Sequence, residues 1–160
     1  MIAQRISADE RFEIADLYAA YVAVLDSKRF DEWPEFFIED CSYAIVPREN
    51  YDRGLPLATM SFESRGMLRD RVYGVTQTLF HEPYYQRHLI TNALMRASDA
   101  GYSVESNYVV LRTKSGELSH VLSTGRSYDS LVRLDGRLLF ATRTLVFDSE
   151  LIPNSLIYPL

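Results

Sequence analysis

The chain has 160 residues, which suits one domain with a sizeable core. It is 47% hydrophobic and 24% charged, the balance of a soluble globular protein. A net charge of −5 without a basic run argues against nucleic-acid binding, the lone Cys41 excludes an internal disulfide, and no apolar run approaches the ~20 residues of a membrane span.

The start is polar (Gln4, Arg5, Asp9, Glu10) and lacks a signal-peptide core, so a cytoplasmic protein is expected. Ser7 and Glu10 form a capping box. Ile14, Leu17, Tyr18, Tyr21, Val22 and Leu25 follow at helical spacing, and Asp26-Ser27-Lys28 ends that helix. Phe30 to Phe37 reads as a second, short helix, with Pro34 tolerable only in a first turn. Trp33, Phe36 and Phe37 would cover one mouth of a sheet. Ser42 to Pro47 alternates as a strand, and Pro47 stops it.

Arg48 to Leu57 reads as a loop, and Ala58 to Glu63 as a brief strand. A third helix is expected on Leu68, Val72, Val75 and Leu79, weakened by Gly66 and Gly74. Phe80 to Gln86 leads to four long strands: His88 to Ala97, Tyr102 to Thr113, Leu118 to Arg133 and Leu138 to Asp148. Turns at Asp99-Ala100-Gly101, Lys114-Ser115-Gly116 and Asp135-Gly136 separate them. This order predicts an α+β fold, a strongly bent antiparallel sheet wrapped on the first helix within one domain, 1–160. Gly125, inside a strand, predicts a bulge or bend.

Chemistry-bearing residues are few. His81, His88 and His120 are the only histidines, and His81 and His88 with Glu82 match no compact ligand spacing. A Rieske cluster needs two Cys and two His, more thiols than one cysteine supplies. Asp40 beside Cys41 disfavours a thiolate. Tyr18, Asp26, Tyr43, His81 and His88 could form an acid–base kit in a cavity, although Tyr18 also reads as core and Asp26 as a helix end. No phosphate cradle or nucleophile elbow is present. Arg87, Arg96, Arg112, Arg126, Arg133 and Arg143 lie in or beside strands, with Asp129 and Asp148 as acidic strand residues. They fit either cross-strand ion pairs on a solvated face or a polar network at a subunit interface.

Six segments in order carry a resemblance: LDSKRFDEW (Leu25 to Trp33), SYAIVPREN (Ser42 to Asn50), LRDRVYGVTQTLFHEPYYQRHLITN (Leu68 to Asn92), SNYVVLR (Ser106 to Arg112), GRSYDSLVR (Gly125 to Arg133) and FATRTLVFD (Phe140 to Asp148). From about Phe12 onward the chain resembles the small, or beta, subunit of aromatic-ring-hydroxylating oxygenases. The resemblance implies a cystatin-like, nuclear-transport-factor-like cone. It also implies a large alpha subunit carrying the Rieske 2Fe-2S cluster, the mononuclear non-haem iron and the substrate pocket. Electrons would come from NAD(P)H through a reductase and ferredoxin. The small subunit would be structural, with no catalytic, cofactor or metal residue of its own, in an α3β3 hexamer built on a β3 trimer. The loop Tyr51 to Met60 and the tail Asn154 to Leu160, interrupted by Pro159, look most like subunits whose partners act on aromatic carboxylates, with salicylate 5-hydroxylase ahead of terephthalate or anthranilate dioxygenase.

The rivals are a stand-alone isomerase or dehydratase of the same cone, using Tyr18, Tyr43 and His88, and a ligand-binding or dimerising module. If Tyr18, Phe36, Tyr43 and Leu94 fill the cone, the enzyme reading loses its pocket; an open pocket with a His or Asp at its base would favour it.

Overall fold

A computed structural model describes residues 6–151 and 156–160. Helix α1 spans Ala8–Asp26 and begins with the expected capping box: the Ser7 hydroxyl accepts from the Glu10 N–H, and the Glu10 carboxylate accepts from the Ser7 N–H. Its buried face is Ile14, Tyr18, Tyr21, Val24 and Leu25, with Leu17 and Val22 partly buried beside it. Phe30–Phe36 is a 3-10 helix. Pro34 lies well inside it, where an α-helix would put the ring against the carbonyl four residues back. The short helix expected at Phe30 to Phe37 is therefore present as 3-10 helix, with Pro34 past the first turn to which it was expected to be confined.

Strand β1, Phe37–Pro47, starts five residues before the predicted Ser42. A short helix α2, Arg48–Asp52, occupies the start of the expected loop, supported by the Arg53–Glu49 pair at 2.8 Å. Strand β2 is only Met60–Phe62. Helix α3, Arg65–Tyr73, is capped by the Ser64 hydroxyl and continues into a π-helical turn, Gly74–Thr78. Leu79 lies beyond that turn and is exposed, so it does not extend the buried face of Leu68, Val72 and Val75.

The sheet continues with β3 Tyr84–Ser98, β4 Gly101–Lys114, β5 His120–Leu134 and β6 Arg137–Phe147. The spatial order is β2-β1-β6-β5-β4-β3. The four long strands form the expected antiparallel meander, while β1 joins β6 in parallel. A parallel neighbour needs a long crossover, and the chain between β1 and β6 provides one. Register shifts between Thr91 and Leu94, Val110 and Leu111, and Ser130 and Leu131 mark where the strands bend.

No register shift falls at Gly125, which pairs in step with both Tyr108 and Phe147. A Cβ there would stand 1.9 Å from the Val146 carbonyl oxygen, so close backbone approach requires the glycine. The concave face is lined by Val104, Tyr108, Val110, Leu131 and Leu145 and closes on α1. Trp33 and Phe37 are fully buried against Tyr21, Tyr43 and Phe140 in edge-to-face and tilted contacts.

Candidate functional site

The concave side is occupied by the protein's own side chains. Asp129 on β5 and Arg143 on β6 pair directly across the ladder. Arg143 Nη1 meets Asp129 Oδ2 at 2.6 Å, with side chains 1% and 0% exposed. The Tyr18 hydroxyl donates to the same oxygen at 2.5 Å, and Ser127 donates at 3.2 Å. The guanidinium lies 4.6 Å from the Tyr21 ring centroid and 5.3 Å from that of Phe140, a cation enclosed by aromatic faces. Burial pulls the Arg143 pKa down, but Asp129 and the surrounding tyrosines outweigh it and hold the group protonated. Burial pushes the Asp129 carboxyl up, against Arg143, Tyr18 and Ser127, which favour the carboxylate. For these two residues the expectation of a solvated face is corrected: strand alternation points both inward.

The segment Leu156–Leu160 inserts into the same core. Tyr158, Pro159 and Leu160 are buried. The Leu160 carbonyl accepts from Tyr21 at 2.8 Å and Tyr43 at 3.0 Å, and its N–H donates to the Tyr43 hydroxyl at 2.9 Å. The Trp33 indole N–H donates to Tyr21 at 3.0 Å. Tyr158 stacks between Tyr84 and Phe30, and its hydroxyl meets His81 Nε2 at 2.9 Å. Asn154 and Ser155, part of the tail singled out in the sequence, lie outside the described residues.

The proposed acid–base kit is dispersed over these contacts. Burial raises the Tyr18 and Tyr43 hydroxyls well above the usual tyrosine range, so both stay neutral donors at physiological pH. Asp26, at the end of α1, does meet His88 of β3: His88 Nδ1 lies 2.6 Å from Asp26 Oδ1, and the imidazole is 3% exposed. His88 Nε2 is sealed from solvent and has no partner among the described residues. An apolar groove of about 590 Å³ runs between α1 and β3, lined by Val22, His88 and Ile90. Tyr18 lines it but spends its hydroxyl on Asp129, and Tyr43 is not among its walls. Of the four residues whose packing would fill the cone, Phe36 is half-buried and Leu94 is 56% exposed. Cys41 is buried, which raises its thiol pKa. Among the described residues, no three His, Cys, Asp or Glu side chains gather as metal ligands.

Of the remaining strand arginines, Arg96 forms a cross-strand pair with Glu105 at 2.6 Å, whereas Arg133 pairs with Glu13 of α1 at 2.6 Å and Arg87 approaches Asp26 of α1 at 4.0 Å. Asp148 takes Arg48. Sequence reasoning missed Arg71. It follows Leu68 by three and precedes Val75 by four, so helical spacing puts it on the edge of the buried face. It reaches under the tail, giving Nη2 to the carbonyls of Leu156 at 2.9 Å and Ile157 at 2.7 Å.

With this geometry in place, the comparisons with known proteins agree. The family described as "Ring hydroxylating beta subunit" matches residues 21–154. The chain is 37% identical to the anthranilate 1,2-dioxygenase small subunit of Burkholderia cepacia, over 93% of each chain. It is 30% identical to the terephthalate 1,2-dioxygenase terminal oxygenase component subunit beta 2 of a Comamonas species, over 92% of this chain and 97% of that one. A crystal structure of a beta subunit assigned to an aromatic-ring-hydroxylating dioxygenase of Novosphingobium aromaticivorans superposes with a TM-score of 0.85 at 33% identity, covering 93% and 95% of the two chains. The profile match over most of the chain, and 37% identity to a small subunit over 93% of each chain, show that the protein belongs to the ring-hydroxylating beta subunit family, the small subunits of aromatic-ring-hydroxylating dioxygenases.

Proposed function

We propose that this chain is the non-catalytic small subunit of a Rieske non-haem iron oxygenase acting on an aromatic carboxylate such as salicylate. It is a single-domain cytoplasmic protein that assembles as β3 and holds three large subunits in an α3β3 hexamer. The Rieske cluster and mononuclear iron in those large subunits supply electron transfer and oxygen activation, fed from NAD(P)H through a reductase and ferredoxin. The observation carrying this reading is the family match over most of the chain, together with the burial of Tyr18, Tyr43 and Leu160, whose polar groups are bonded within the core. The rival enzyme reading keeps one feature in its favour, the groove between α1 and β3 with His88 on its wall, but there Tyr18 gives its hydroxyl to Asp129 and Tyr43 is not among the walls. This chain then contributes no catalytic, cofactor or metal residue.

The outer surface supports an assembly role. Tyr85 and Leu89 of β3 and Val121 of β5, with β4 between the two strands, are exposed large apolar residues, and Phe80 projects fully into solvent. Apolar area of this kind is what an obligate partner covers. The substrate class follows the relatives, which are named for anthranilate and terephthalate, both aromatic carboxylates.

Co-expression with the large subunit encoded beside it, followed by native mass spectrometry, tests the reading. The expected species is a coloured complex of three large and three small subunits. A chain that remains monomeric, leaving a fully active large-subunit assembly without it, overturns the proposal.

A further inference from the structure

A second concavity lies outside the core, between the π-helical end of α3, the segment before β3, and the tail. Its volume is about 510 Å³, within the range of small-ligand sites. Arg71, His81, Tyr84, Arg112 and Lys114 line it, and Glu82 is the one acidic residue among its walls. Glu82 is already taken by Lys114 at 3.0 Å.

The two arginines are different. Arg71 is half-buried and bonded only to main-chain carbonyls. Arg112 is half-buried, gives Nε to the His120 ring at 3.1 Å and holds its guanidinium 5.7 Å from the Tyr84 ring centroid. Neither has an ion-pair partner among the described residues. Removal from water disfavours a charged group unless an opposite charge compensates it, and that burial lowers the Arg71 pKa. Lys114, on the same walls, has found Glu82, whereas the two arginines face the cavity without a carboxylate.

We infer that this cleft is a binding site for a small carboxylate with a flat apolar body, its charge met by Arg71 and Arg112 and its body laid along the Tyr84 and Leu79 walls. Guanidinium groups match a carboxylate geometrically and can bind it with two parallel hydrogen bonds. The wall residues Leu79, Phe80, Tyr84 and Ile157 offer the apolar contact that an inorganic anion cannot use. The site is on this chain and separate from the filled interior, so it stands whether or not the subunit reading does.

Isothermal titration of the full-length protein tests it with three probes: benzoate, benzamide and inorganic phosphate. Benzoate is expected to bind saturably at one site, with benzamide and phosphate each at least about tenfold weaker, since a charged hydrogen bond and the apolar contact are removed in turn. Arg112→Gln is expected to weaken benzoate by about tenfold or more while leaving the melting temperature unchanged, and Arg112→Lys to fall between. Absence of saturable benzoate binding overturns the inference. So does unchanged affinity in Arg112→Gln. Phosphate binding as tightly as benzoate overturns it too, and identifies the cleft as a place for an adventitious ion only.

Discussion

Two sets of arginines in this protein sit on opposite sides of one structural boundary. Arg143 is sealed in the core and paired with Asp129, with three aromatic rings around the cation. Arg71 and Arg112 line an open cleft and have no carboxylate. The contrast separates charge used for architecture from charge left available. A buried pair fixes the cross-strand arrangement of β5 and β6 at high desolvation cost, whereas an unpaired cation at a cleft wall leaves its field for a ligand.

The most severe way to probe the sealed side is Asp129→Ala. It leaves Arg143 buried and uncompensated, and a loss of about 3–5 kcal/mol in urea unfolding is expected. Replacing both partners with apolar residues of similar volume should recover most of that loss. A single-variant cost below about 1 kcal/mol would break the distinction, because it would mean that the pair is hydrated and relaxed in solution.

The tail gives the next largest effect. Leu160→Ala is expected to cost about 2–5 kcal/mol, as for other fully buried leucines. Deleting Leu156–Leu160 should cost more, since it also strips partners from Tyr21, Tyr43 and Arg71. An unchanged melting temperature and an unchanged oligomer size after deletion would show that the tail is not part of the seal.

Smaller effects lie at the first turn of α1. Ser7→Ala removes the cap and should cost about 1 kcal/mol in thermal or urea unfolding. Glu10 is held at about 2 by the Tyr102 hydroxyl first and by Ser7 next. Its folded pKa is lower than its unfolded one. Its contribution is therefore present above about 4.5 and fades as the pH falls toward 2. The stability gap between wild type and Glu10→Gln should be constant near neutrality and close across that acidic window. A gap that persists at pH 2 would contradict the assignment.

The smallest change is expected on the open side. Arg112→Gln should alter unfolding stability by no more than about 0.5 kcal/mol, because no buried carboxylate loses its partner. A large destabilisation there would erase the comparison from the other direction, placing Arg112 among the structural cations.

Much of the fold was readable because its signals are local. The Ser7–Glu10 capping box, the α1 apolar face and the glycine turns of the meander all appear where periodicity and turn chemistry put them. Errors fell where tertiary contacts override local preference. Phe37 joins β1 through its pairing with Phe140 of β6, and the register shift before Ser42 takes up the residues between. Pro34 turns its segment into 3-10 helix. Gly125 answers to the carbonyl of Val146, a contact from a residue remote in sequence. The site was less legible than the fold. Asp26 and His88 were both singled out, but their pairing spans 62 positions. Arg71 carries no local signal of its role, because the carbonyls it holds lie 85 and 86 positions away.

By itself the sequence determined the α+β order of elements, the alternation that makes a two-faced sheet, and the family, since these depend on residue types at short spacings and on their order along the chain. Only the tertiary structure decided which charges are paired. Asp129 and Arg143 meet because β5 and β6 fold into register, and Arg71 and Arg112 face a common cleft because α3 and β4 converge beneath the tail. Whether a charge is neutralised or left available depends on three-dimensional distance and desolvation, and neither quantity is written in the spacing of residues along a chain.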